Sequence, residues 1–172
     1  GDSKIGIEMS EHPTIDMISF TGSTKAGISV AKNAANTVKR VTQELGGKSA
    51  NIILRDADFE KSIKKGILNC MSNSGQSCNA PTRMLIPNDK MEEAINLVKD
   101  ITKGIVVGDP QNPETTLGPV VSKVQYEKIK TYIETGISEG ATLVTGGSTL
   151  PENIKRGFFV QPTIFANVKN NM

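Results

Sequence analysis

Aromatic residues make up only 4% of this 172-residue chain, histidine occurs once and cysteine twice. Each scarcity excludes something. Few aromatics, with a net charge of +2 and both signs mixed evenly along the chain, exclude the basic surface of a nucleic-acid binder. Two cysteines, Cys70 and Cys78, are too few for a disulfide framework and fit a reducing, cytoplasmic setting. With His12 they match no metal-ligand spacing, so no metal is expected. His12 stands directly before Pro13, a setting that suits a structural turn and leaves a Cys–His peptidase without its imidazole. The caspase signature fails as well, because Asn79 and Ala80 follow Cys78. No apolar run approaches the roughly 18 residues of a membrane span. The first twenty residues carry neither a basic nor an apolar leader region, so they do not read as a signal peptide.

Hydrophobic residues at 37% and charged residues at 22% indicate a globular chain, long enough to bury a substantial core. Its periodicities alternate. "MISF" (17–20) reads as a strand, followed by a helix-like run to about Asn36 and a strand-like "VKRVTQEL" (38–45). The Gly-Gly pair of "ELGGKS" is the best internal boundary signal. Beyond it, "ANIIL" (50–54) and "RMLIP" (83–87) read as strands. Between them lies a helix capped by Asp58, with Phe59, Ile63, Ile67 and Met71 four apart. A second helix (89–103) sets Met91, Ile95, Val98 and Ile101 on one face, and a third (122–138) sets Tyr126, Ile129, Ile133 and Ile137. A long Gly- and Pro-rich loop separates the two, and "ATLVTGG" and "GFFVQPTIF" read as closing strands. Alternating strands and helices predict an α/β fold with a largely parallel sheet.

Three short stretches carry chemistry. "SFTGSTKAG" places Gly22 and Gly27 between a strand and a helix, where free N–H groups and the helix dipole attract a phosphate. It is not a P-loop, because Ile28 stands where lysine is required, and a plain turn explains the glycines equally well. "QELGGKS" puts Glu44 at a strand end. Partial burial there would raise its pKa and suit a general base, whereas an isolated glutamate before a turn is ordinarily solvated. "SGQSCNAPTR" surrounds Cys78 with small polar residues, which suits either a reactive thiol or an incidental one. Cys70, within apolar "GILNCM", reads as core.

In this order, the segments resemble the aldehyde dehydrogenase superfamily. "FTGSTKAG" is similar to its coenzyme loop, "ELGGKS" to its general-base motif and "GQSCNAPTR" to its nucleophile motif. The 34 residues from Glu44 to Cys78 match the family spacing, and "GDPQNPETTLGP" and "GFFVQPTIF" are similar to later family segments. The resemblance covers essentially the whole chain. It implies a three-layer α/β/α fold, with the end of a coenzyme domain over 1–45 and an incomplete catalytic domain over 46–172.

The resemblance also implies roles. Cys78 would attack an aldehyde and Glu44 would activate the water that releases the acid. Gly22 and Ser23 would lie on the pyrophosphate of NAD or NADP, and the Leu45 backbone would face the nicotinamide. Gln125 would contact a coenzyme ribose, with Lys128 a second candidate nearby. Glu44 favours hydrolysis over transfer to coenzyme A. The family's oxyanion-hole asparagine and its other ribose-binding residues fall outside these 172 residues. The sequence is therefore expected to be a central piece of a longer homodimeric or homotetrameric enzyme, inactive by itself. Two other classes compete: a non-catalytic protein that kept the fold, and a thiol hydrolase or acyltransferase with no redox step. Intact Glu44 and Cys78 weigh against the first, and the coenzyme loop against the second.

Overall fold

The computed structural model describes residues 2–172. They form two compact units, residues 2–48 and 49–172.

The first unit begins with helix α1 (Ser3–Glu11), capped by the Asp2 carboxylate on the Lys4 N–H at 2.9 Å. Sequence periodicity does not reveal α1, because Ile5, Ile7 and Met9 alternate as in a strand and all three are exposed. Its buried residue is Ser10, whose hydroxyl is satisfied by the Gly6 carbonyl at 2.7 Å. His12 ends the helix. The Thr14 hydroxyl lies 2.9 Å from His12 Nδ1, and Lys39 Nζ donates to the His12 carbonyl at 2.6 Å, a structural role for the lone histidine.

Strand β1 (Met17–Gly22), helix α2 (Thr24–Ala34) and strand β2 (Arg40–Leu45) follow as one parallel crossover. β1 runs past the expected "MISF" to Gly22. β2 starts two residues later than expected, because Val38 takes a left-handed conformation (φ 54°) at the end of a 3-10 turn over Ala35–Thr37. α2 packs on both strands, and Gln43 Nε2 donates to the Gly27 carbonyl.

In the second unit, strand β3 (Ala50–Ile52) pairs in parallel with β4 (Arg83–Leu85), and helix α3 (Phe59–Met71) connects them. The Asp58 carboxylate caps α3 through the Lys61 N–H at 3.2 Å, as expected. Helix α4 (Met91–Lys103) packs against α3 around Ile53, Ile63, Ile67, Ala94 and Val98. The buried line of α4 is Ala94, Val98 and Thr102, and the other members of the expected face, Met91, Ile95 and Ile101, are half-buried. Thr102 tolerates burial because its hydroxyl donates to the Val98 carbonyl at 2.8 Å. Helix α5 (Lys123–Ser138) buries Ile133 and leaves Ile137 exposed.

Strands β5 (Thr142–Thr145) and β6 (Ile164–Ala166) form an irregular antiparallel pair, the exception to the largely parallel pairing that β1–β2 and β3–β4 follow. β6 is much shorter than the "GFFVQPTIF" run, since Pro162 has no N–H to offer a ladder. Among the described residues, no helix is long and apolar enough to cross a membrane.

Candidate active site

The parallel register of β1 and β2 collects the first group of candidates. Thr21 lies opposite Glu44, and Gly22 opposite Leu45, so both motifs end at the carboxyl edge of the same pair. Open parallel α/β units bind ligands at that edge. Ser23 turns the chain from β1 into α2, its hydroxyl accepting the Ala26 N–H at 3.3 Å and its carbonyl the Gly27 N–H at 2.9 Å. The positive end of the α2 dipole thus opens beside an exposed Ser23 and a half-buried Gly22, a setting that accepts an anionic phosphate.

Both loop glycines also have a packing reason to lack a side chain. A Cβ on Gly22 would stand 2.5 Å from the Phe20 ring, and one on Gly27 would stand 2.7 Å from Leu45 Cδ2. Glu44 is exposed at the penultimate position of β2, rather than partly buried.

Cys78 is exposed in the connection between α3 and β4. The chain leaves α3 through a 3-10 turn, Ser72–Gly75. Within it Asn73 (φ 52°), Ser74 (φ 57°) and Gly75 (φ 72°) are successively left-handed. Two non-glycine residues there are costly, on the order of 1 kcal/mol each. Hydrogen bonds hold the arrangement. The Gln76 N–H donates to the Asn73 carbonyl at 3.1 Å, and Asn73 Nδ2 donates to the Gln76 carbonyl at 3.3 Å. Cys78 then takes the second position of a turn closed by the Ala80 N–H on the Ser77 carbonyl at 3.1 Å, with Ala80 buried beneath it.

The other cysteine differs. Cys70 is half-buried near the end of α3, and burial pushes its thiol pKa up. It lines an apolar groove with Met71, Met84 and Phe165, consistent with a packing role.

Gln125 and Lys128 are exposed on the first turns of α5. The Ser122 hydroxyl caps that helix through the Gln125 N–H at 3.3 Å. Lys128 Nζ sits 5.8 Å from the centre of the Tyr132 ring, so its ammonium already has a cation–π partner. Sequence reasoning did not single out Gln76 and Ser74, which brace the Cys78 turn against residues 118–121. Val121 donates its N–H to Gln76 Oε1 at 2.8 Å, and Ser74 Oγ donates to the Gly118 carbonyl at 2.9 Å. A glutamine two residues before a candidate nucleophile was the available signal. Its partner lies 45 residues away, where no local pattern points.

Known proteins resemble this chain along nearly its whole length. The chain is 51% identical over 168 residues to a 3-succinoylsemialdehyde-pyridine dehydrogenase of a Pseudomonas species, covering 98% of this chain and 35% of that one. The crystal structure of an aldehyde dehydrogenase from Bartonella henselae superposes with a TM-score of 0.96 at 53% identity, over 100% of this chain and 36% of that one. A mutant of aldehyde dehydrogenase C from Pseudomonas syringae, in complex with NAD+ and octanal, also gives 0.96. It is 48% identical and covers 98% of this chain and 35% of its own. The chain thus spans about a third of the length of these relatives. The model of the aldehyde dehydrogenase family matches residues 1–172 from end to end, and the chain belongs to that family.

Proposed function

We propose that the whole protein oxidises an aldehyde to a carboxylic acid with NAD or NADP, and that this chain carries its nucleophile and its general base. The observation that carries the reading is the exposed Cys78 thiol, presented at the second position of a braced turn. A thiol there can reach a carbonyl carbon, and the thiolate is the form that attacks.

The residues have distinct tasks. Cys78 Sγ forms a bond to the aldehyde carbon and the carbonyl π electrons move onto oxygen, giving a thiohemiacetal. The Cys78 backbone N–H is assigned part of that oxygen's stabilisation. The coenzyme, when bound, supplies the acceptor for the hydride that leaves this carbon. The carbon is then a thioester on Cys78. Glu44 takes a proton from water, the water oxygen adds to the thioester, and the Cys78 thiolate leaves as the carboxylic acid forms. Retention of Glu44 favours water over coenzyme A as the acyl acceptor.

Gly22 and Ser23 are assigned to the coenzyme pyrophosphate at the start of α2, and the Leu45 backbone to the nicotinamide. Gln125 is assigned to a ribose, with Lys128 as a second candidate beside it. Support comes from the shared edge of β1 and β2, from the open N-terminus of α2, and from relatives crystallised with NAD+. The reading includes a cytoplasmic homodimer or homotetramer, with both cysteines as free thiols.

The test is turnover of a panel of aldehydes by the full-length protein with NAD and with NADP. Cys78→Ser is expected to lower kcat by about a thousandfold or more. Wild-type turnover in Cys78→Ser would refute the reading. Acyl-CoA as the main product when coenzyme A is present would refute the hydrolytic assignment.

A further inference from the structure

Hydrogen bonds tie the Cys78 turn to residues 118–121 of the same unit. Gln76 uses both ends of its amide: Oε1 accepts the Val121 N–H at 2.8 Å, while Nε2 donates to the Asn73 carbonyl at 3.2 Å. Ser74 adds a second tie through the Gly118 carbonyl at 2.9 Å. The segment they grip is itself anchored. Leu117 and Val120 are buried, and the Val120 N–H donates to the Phe158 carbonyl at 2.8 Å. One residue past Val121, Ser122 caps α5, and Gln125 lies on its first turn. The path from Cys78 to Gln125 is therefore two residues, one hydrogen bond and four residues.

We propose that Gln76 is a positioning residue for Cys78, whose side-chain oxygen joins the thiol-bearing turn to the segment that opens α5. Coenzyme contact at the start of α5 is thereby transmitted to the nucleophile. The inference rests on the proposed roles of Cys78 and Gln125. A displacement of about 1 Å at a reacting group can lower a rate by about a hundredfold, so one tie at this place matters more than its contribution to folding. Replacing Gln76 by Glu keeps an acceptor for the Val121 N–H and removes the donor to the Asn73 carbonyl. Replacing it by Met keeps the length of the side chain and removes the acceptor.

The test uses full-length Gln76→Met, Gln76→Glu and Ser74→Ala alongside Cys78→Ser. It measures kcat, KM for aldehyde and coenzyme, and the rate at which iodoacetamide alkylates Cys78 with and without NAD. In the parent, NAD is expected to change the alkylation rate. Gln76→Met is expected to abolish that response and to lower kcat about tenfold or more, with KM for the aldehyde within about twofold. Gln76→Glu, which keeps only the Val121 bond, is expected to restore part of both, which a role in folding alone would not predict. Should Gln76→Met fail to fold, Ser74→Ala decides, with the NAD response expected to fall about threefold.

The proposal is overturned if the parent shows no NAD response, if Gln76→Met retains the response and kcat, or if Gln76→Glu is as impaired as Gln76→Met. An undiminished response in Ser74→Ala overturns it where Gln76→Met does not fold. Turnover that survives Cys78→Ser overturns the nucleophile assignment instead. Loss of turnover in Cys78→Ser with an unperturbed Gln76→Met overturns the positioning claim alone.

Discussion

Gly66 of α3 lies so close to Met84 of β4 that a Cβ on the glycine would stand 2.6 Å from the methionine Cε. The Asn51 amide of β3 crowds the same point. α3 and β4 bracket the Cys78 turn. Gly66→Ala is expected to destabilise the protein by about 1–3 kcal/mol through overpacking, against the usual gain from alanine within a helix. Urea unfolding checks it. A midpoint equal to or above the parent's would show that Asn51 and Met84 yield freely.

At the other candidate edge, Ser23 is both the α2 cap and the proposed pyrophosphate contact. Ser23→Ala is expected to cost about 1 kcal/mol of stability and to raise the coenzyme Kd. Ser23→Asp keeps the cap and places a negative charge where a phosphate is proposed. It is expected to restore stability while weakening coenzyme binding further. Coenzyme affinity equal to the parent's in both variants would remove Ser23 from the binding site.

The two thiols are expected to separate in reactivity. Burial pushes the Cys70 thiol pKa up and limits access to it, whereas Cys78 is exposed. A raised pKa leaves less thiolate near neutral pH, so iodoacetamide is expected to label Cys78 first and Cys70 only as the protein opens. Peptide mapping over a labelling time course reads this directly. Equal labelling of both from the start would contradict the burial seen for Cys70.

Arg55 and Asp89 form a two-pronged surface pair, with bonds of 3.0 and 2.9 Å. The hydrogen bond from Arg55, with its charge, holds the Asp89 carboxyl below the usual carboxylate range. A carboxyl with a lowered folded-state pKa contributes its stability fully above the unfolded value of about 3.9, and loses it as pH falls through the folded value. The stability difference between the parent and Asp89→Asn is therefore expected to be small at neutral pH, to shrink further below about pH 4, and to shrink with added salt. Unfolding midpoints across pH test this. A difference that grows on acidification would have the wrong sign.

How much of this was legible in the sequence varies by element. α3 was, because its cap Asp58 and its stripe of Phe59, Ile63, Ile67 and Met71 are both local signals. α4 was legible as a helix and in part in its face, since Val98 is buried and Met91, Ile95 and Ile101 are half-buried. Thr102 reads as polar, yet its hydroxyl is satisfied by its own helix, so it joins Ala94 and Val98 in the interior. α1 was hidden by the strand-like alternation of Ile5, Ile7 and Met9. The candidate site divides in the same way. Cys78, Glu44 and the coenzyme loop stand out as motifs, since each gathers unusual residues within a few positions. Gln76 and Ser74 did not, because their partners Val121 and Gly118 are met only through tertiary folding. Whether Glu44 is buried or solvated was left open by its motif, and in β2 it occupies one of the exposed alternate positions.

The central claim is that Cys78 carries the acyl group and Glu44 releases it. The most direct measurement is the intact mass of full-length Glu44→Gln after mixing with NAD and a turned-over aldehyde, with peptide mapping of any adduct. The predicted result is one acyl group per subunit on Cys78, about one equivalent of NADH formed in a burst, and little turnover afterwards. Sustained turnover at the parent's rate with Cys78 unmodified would contradict the account.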